Sequence, residues 1–333
     1  MKKHRPTTII EVAKLAGVSP STISRVLNGT AVVAPETEQR VREAINRLGF
    51  VPHPAARQLV MNRTNMIGVL LPEISGAFFP PMLKGIEAGV REAGYDLLIY
   101  STQNGQAARP LSEHNTDGLI IFPGSVDDSE LRRYHNLEFP VVLLHQTPPT
   151  DCPFPFVTVE NKDGAEMLVS HLIEAHARRQ IVYLQGPESH EDSIWRERGY
   201  REALEAHGLP FDPELVASGG FDEAEASSAI ENLLLDGVEF DAVFAGDDDA
   251  AAGVISALKQ IGRSVPEDVS VAGFDDVPFS RFLSPPLTTV RAPIEQVGRE
   301  SVRQLVKCIQ KHPCEPEILL PTELIIRQSC GCH

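Results

Sequence analysis

Between Thr8 and Gly29 the chain reads TIIEVAKLAGVSPSTISRVLNG, and here short polar groups gather on one helical face. Ser21, Thr22, Ser24, Arg25 and Asn28 point away from the side carrying Ile23, Val26 and Leu27. Hydroxyl, amide and guanidinium groups of this size reach phosphates and base edges, so nucleic-acid recognition is the chemistry they suit. The same periodicity also fits a structural three-helix bundle with a solvated polar face. Elsewhere, Asp247-Asp248-Asp249 reads as a carboxylate cluster at a helix N-terminus rather than a metal site. Cys330-x-Cys332-His333 offers three soft donors, one short of a tetrahedral zinc site, with Cys308, His312 and Cys314 as further candidates; no metal is expected. His171 and His176 are five apart, which predicts different helix faces. The nucleophile-elbow, Walker A and dinucleotide glycine signatures are lacking, so neither an enzyme nor a cofactor is expected.

These side chains need a scaffold. Thr8 and Glu11 have capping-box spacing, and Val12, Ala13 and Ala16 supply the apolar face of a first helix. Gly17-Val18 breaks it, Ser19-Pro20 opens a second helix, and a third runs from Pro35 to Gly49 over Val41, Ala44, Ile45 and Leu48. Two helices joined by a three-residue turn containing glycine form a helix-turn-helix pattern. Residues 50–64 read as a linker, with a short helix over 55–60. Beyond it, apolar runs at 67–71, 97–100, 119–122, 141–144, 181–184, 242–245 and 269–273 alternate with helical stretches at 81–93, 163–175, 195–207, 224–235, 250–261 and 294–310. That alternation predicts an α/β fold of parallel strands buried on both faces, in two doubly wound lobes.

Charge separates the same parts. Residues 1–63 hold ten Lys/Arg against four Asp/Glu, a balance of +6; the remainder holds twenty against forty-two, or −22, which together give the net −16. An acidic body repels phosphate, so DNA contact is confined to the basic head. No apolar run reaches the roughly 18–20 residues of a membrane span, and no secretory signal is visible. Five cysteines in so long a chain predict reduced thiols and a cytoplasmic location.

The segment 8–29 closely resembles the headpiece of the lactose/galactose repressor (LacI/GalR) family of bacterial regulators. The resemblance continues through FVPHPAARQL, MIGVLLPEISGAFF, HLIEAHARRQIVYLQGP, VAGFDD, LTTVRAPIEQVG and PTELIIRQS, and so covers nearly the whole chain. It implies that the second helix lies in the major groove. Pro20 and Ser21 then set operator choice, Thr22, Ser24, Arg25 and Asn28 touch phosphates or bases, and Thr8 touches a phosphate. Leu59, flanked by Ala56, would wedge into the minor groove from a hinge helix, or else pack between domains.

The resemblance also implies a body like a periplasmic sugar-binding protein, with a small molecule between its lobes. Phe78 and Phe79 would stack on it, Arg196 would clamp it, and Asp275 would accept from it, with Asp192 and Phe244 as weaker candidates. Core packing for the two phenylalanines and a salt bridge for Arg196 and Asp275 are the alternatives. The implied organisation is a headpiece at 1–52, a hinge at 53–64 and an effector and dimerisation domain at 65–333. Its N-lobe spans about 65–160 and 292–322, its C-lobe about 161–291 and 323–330. The expected function is a sequence-specific transcriptional repressor, acting as a homodimer or tetramer on palindromic double-stranded DNA and controlled by a sugar, sugar derivative or nucleobase. An enzyme with a DNA-binding head, or a regulator answering to a partner protein, are the competing readings. Departures from the family are Ala34 in place of a capping serine, a short segment between Tyr100 and Asp117, His145 where an acid is common, and Gly246-Asp247-Asp248-Asp249.

Overall fold

The computed structural model describes residues 7–28, 32–50, 63–102, 111–188 and 190–332. It divides into two units, Met1–Thr64 and Asn65–His333. The first contains α1 (Ile9–Ala16), α2 (Pro20–Asn28) and α3 (Pro35–Leu48). Thr8 caps α1 reciprocally: the Glu11 amide donates to Thr8 Oγ1 at 3.4 Å and the Thr8 amide to Glu11 Oε2 at 2.7 Å. Gly17, in the left-handed region, ends α1, and Ser19 Oγ accepts from the Thr22 amide at 3.2 Å to start α2. Val12, Ala13, Ala16, Ile23, Val41 and Ala44 form the buried centre. At Ala34 no side chain caps α3, as the departure there predicts.

The second unit runs β1 (Met66–Leu71), α4 (Phe79–Glu92), β2 (Asp96–Ser101), β3 (Gly118–Ile121), α5 (Asp128–Asn136), β4 (Val141–Leu144) and β5 (Phe156–Val159). It continues with α6 (Asn161–His176), β6 (Ile181–Gln185), α7 (Glu191–Ala206), β7 (Val216–Ser218), α8 (Glu223–Leu235), β8 (Ala242–Ala245), α9 (Asp248–Gln260) and β9 (Ser270–Asp275). It closes with β10 (Thr288–Arg291), α10 (Ile294–Ile309), β11 (Glu317–Leu320) and β12 (Glu323–Ile325). Two six-stranded sheets result, ordered β11-β5-β4-β3-β1-β2 and β12-β10-β9-β8-β6-β7. All ladders are parallel except β10–β12. The chain passes between the sheets after β5, β10 and β11, so each lobe borrows a late strand from the C-terminal segment.

Six of the seven apolar runs became interior strands, because only a fully buried parallel strand hides both faces of segments such as VVLL and AVFA; the run at 97–100 became β2, a partly exposed edge strand. Strands β5, β7, β10, β11 and β12 and helix α5 were not among the expected elements. Thr288 and Thr289 of β10 are completely buried, with their hydroxyls donating to Cys330 Sγ and Asp248 Oδ1. Helix α7 begins four residues before the expected Trp195, which brings Asp192 into its first turn. Between β2 and β3, residues 111–116 form turns, and most of the segment expected to be short lies outside the described residues.

Two expectations need correction. Cys308 and Cys314 are joined as a disulfide rather than held as free thiols, leaving Cys152, Cys330 and Cys332 free. His171 and His176 do not diverge: their ring centroids are 5.1 Å apart. His176 is the last residue of α6, and side chains there lean back over the preceding turn toward the helix start. No helix among the described residues is long and apolar enough to cross a membrane.

Candidate effector site and nucleic-acid interface

In the first unit, Pro20, Ser21 and Arg25 are exposed along α2, while Thr22 and Ser24 are half-buried beside them. Ser19 Oγ lies 2.7 Å from Ser21 Oγ and 2.9 Å from Thr22 Oγ1, so three hydroxyls cluster at the helix N-terminus, where backbone N–H groups and the helix dipole favour an anion. Thr8 sits at the equivalent end of α1. Asn28 is the last residue of α2, and its side chain lies outside the description; Ala56 and Leu59 fall outside the described residues altogether.

The second unit gathers its chemistry around Arg196, which α7 carries into the interior with 2% of its surface exposed. A Cβ on Gly199 would strike the Lys162 carbonyl, so the glycine lets α7 lie directly on α6. Arg196 Nε donates to Asn161 Oδ1 at 2.8 Å, Nη1 to the Gly246 carbonyl at 2.5 Å and Nη2 to Asp275 Oδ1 at 3.1 Å. The guanidinium also lies 3.8 Å from the centre of the Phe274 ring. Asn161 in turn donates to Asp192 Oδ1 at 2.7 Å. Across from these, His145 at the end of β4 places Nδ1 2.8 Å from Asp192 Oδ2, and its Nε2 is buried without a hydrogen-bond partner. Glu191 accepts from the Thr147 amide and hydroxyl, a second tie between the two sheets' lobes.

Electrostatics divides the acids. Burial pushes Asp192 up, but His145 and Arg196 outweigh it and hold the carboxyl below its ordinary range. Burial wins at Asp275 despite Arg196, and wins more strongly at Asp247, where Asp275 adds repulsion. Asp248 is pushed up to about 8 by burial, against hydroxyl donors from Ser280 and Thr289 at 2.5 Å each. Asp247 caps α9 through the Ala250 amide at 2.8 Å, which agrees with the helix-terminus reading of this acidic run. Asp275 also holds φ at +102°, a strained value for a residue with a side chain.

Rings line the approach. Phe78 stands 5.5 Å from His145 and 5.9 Å from Phe122, and the series continues through His190 to Phe221. Phe79 is turned into the core, where it backs Phe78 and Phe122. Phe244 is the residue to remove from the expected ligand-facing set: it is fully buried, 5.0 Å from Tyr183, and packs the core. Sequence reading missed Asn161, Phe122, His190 and Phe221, and took His145 only as a departure. One signal was available. His145, Phe122, Gly246 and Asp275 all sit at the C-terminal ends of parallel strands, where open α/β folds place their ligands. A 770 Å³ groove reaches this network through Asp275, and a 210 Å³ cavity reaches it through Asp192 and Asn161.

Residues 8–53 match the model of bacterial regulatory proteins of the lacI family, and residues 169–330 that of a periplasmic binding protein-like domain. The ribose operon repressor of Halalkalibacterium halodurans is 33% identical over 329 residues, 97% of either chain. A solved lac repressor dimer, bound to operator and the anti-inducer ONPF, matches with a TM-score of 0.86 at 25% identity, over 98% of this chain and 99% of that one. The structure of the regulator CelR with cellobiose matches at 0.72 and 31% identity, over 98% of this chain and all of that one. The chain therefore belongs to the lacI family of bacterial regulatory proteins, DNA-binding transcription regulators that carry a helix-turn-helix headpiece and a periplasmic-binding-like body.

Proposed function

We propose that this protein is a cytoplasmic repressor that grips a palindromic operator as a homodimer or tetramer and answers to a small polar molecule bound between its lobes. The observation that carries the reading is the buried set Arg196–Asn161–Asp192–Asp275 facing His145, whose Nε2 has no protein partner. Buried polar groups lacking a partner cost free energy, and a ligand hydroxyl or ring nitrogen between the lobes would relieve that cost. Phe78 offers a ring face for stacking, and Arg196, Asp192 and Asp275 present donors and acceptors for a sugar, sugar derivative or nucleobase. The relatives solved with cellobiose, or with operator and ONPF, support a binding role over turnover.

On DNA, Thr8, Ser21, Thr22, Ser24, Arg25 and Asn28 serve as phosphate or base contacts, with Pro20 beside Ser21 in operator choice. Leu59, flanked by Ala56, would supply the minor-groove wedge. Two recognition helices of a dimer would sit about 34–36 Å apart. The ligand need only favour one lobe arrangement over the other, which shifts operator affinity by about 5–150-fold. Thermal-shift screening of sugars, sugar phosphates and nucleobases, followed by operator titration at fixed salt, tests the reading. A hit should raise the melting temperature and move operator affinity. Equal affinity for palindromes and random duplex, with every ligand tried, would overturn it.

A further inference from the structure

At the opposite end of α6 from Asn161, two histidines and two cysteines converge. His171 and His176 come from the end of α6, and Cys330 and Cys332 from the tail beyond β12. Their ligand atoms all lie within 4.8 Å of one another. Cys330 Sγ is 3.6 Å from His171 Nε2, and Cys332 Sγ is 3.8 Å from His171 Nε2 and 3.3 Å from His176 Nε2. A zinc ion bound at about 2.3 Å from sulfur and about 2.0–2.1 Å from nitrogen sets tetrahedral S···N edges of about 3.6 Å. The three observed edges bracket that value. We propose that these four side chains form a closed structural zinc site that fastens the C-terminal tail to the end of α6.

The surroundings suit a built site. Cys330 is fully buried, and Thr288 Oγ1 donates to its sulfur at 3.1 Å, an outer-shell bond that favours a thiolate. The tail is held independently: Ser270 Oγ donates to the Cys330 carbonyl at 2.8 Å, and Ser329 Oγ to the Val271 carbonyl at 2.6 Å. Between the cysteines, Gly331 holds φ at +113°, and a Cβ there would come within 3.0 Å of the His176 ring. The glycine thus lets both sulfurs turn to one side beneath the imidazoles. Two thiolates with two neutral imidazoles cancel the charge of Zn²⁺, which suits a partly buried site. Four protein ligands leave no open position, so the role is structural and not catalytic. Cys308 and Cys314, paired with each other, take no part.

The test uses the full-length protein, purified without chelator or affinity metal. Elemental analysis should find one zinc per chain, and cobalt(II) exchanged into the site should give the visible bands of tetrahedral S/N coordination. Cys332→Ser, at a half-buried position, should lower zinc content severalfold, while Cys308→Ser should keep it. Strong chelators should lower the melting temperature of the wild type, and added zinc should restore it. The proposal fails if reduced wild-type protein retains no zinc and gives no tetrahedral cobalt spectrum. It fails equally if thiol-blocking mass spectrometry shows Cys330 and Cys332 bonded to each other in the freshly isolated protein.

Discussion

The recognition helix α2 and the Arg196 network use arginine in opposite ways. Arg25 stands exposed on a helix whose neighbouring polar groups lie within one or two turns. Arg196 is sealed in the interior and bonded to residues 35, 50 and 79 positions away. The exposed guanidinium is solvated and adds little to folding, so its worth appears only against a phosphate or base. The buried one has given up its water, and its partners hold it in place. Removing it strands Asp192 and Asp275. The contrast separates an arginine proposed for DNA binding, which the fold does not use, from one whose proposed binding role is tied to its part in the fold.

Substitutions can break that contrast. Arg196→Ala should have the largest effect, costing about 3–5 kcal/mol of stability by leaving buried carboxylates uncompensated. Chemical denaturation measures this, and an unchanged midpoint would sink the network's role. Effector response is therefore better tested with Phe78→Ala, a half-buried ring beside His145 that holds no buried charge. Arg25→Ala should weaken operator binding by about 1–3 kcal/mol, with no change in melting temperature. A matching drop in stability would mean that α2 uses Arg25 for folding instead.

The acids sharpen the comparison through pH. Asp248, with its carboxyl raised to about 8 from an ordinary 3.8, keeps its proton in the fold where the unfolded chain has lost it. Stability from this group therefore falls as pH rises between those values, and Asp248→Asn should flatten the fall in denaturation curves. Asp192 acts with the opposite sign, since its depressed carboxyl contributes stability that is lost on acidification below the ordinary carboxylate range. The smallest change expected is Ala34→Ser, which should raise headpiece stability by about 1 kcal/mol by capping α3. Thermal melts of the headpiece signal would show it.

Legibility followed the range of the interactions. The helices of the headpiece were readable to within a residue because capping, turn and apolar spacing act over three or four positions, as at Thr8–Glu11 and Ser19–Pro20. Strands β1–β4, β6, β8 and β9 were readable from continuous apolar runs, whereas interior β5 and β10, with threonines in FVTV and TTVR, were not. Edge strands β7, β11 and β12 were not, because half-exposed segments such as ELI carry no such pattern. Arg196 and Asp275 were reached through family resemblance, whereas Asn161, which joins Arg196 to Asp192, had no local signal. The zinc-type cluster was in view as separate letters, but His171 and His176 were assigned to diverging faces.

Taken alone, the sequence determined where the headpiece helices and the strands built on apolar runs lie, that a basic head precedes an acidic body, and which face of α2 stays polar. Those are short-range consequences of side-chain size, charge and periodicity. Only the tertiary structure decided that β11 and β12 return to different sheets, that His145 meets Asp192, and that a tail CxC lies under two imidazoles. Such pairings depend on chain crossings and on the close approach of helices, and no window along the chain contains them.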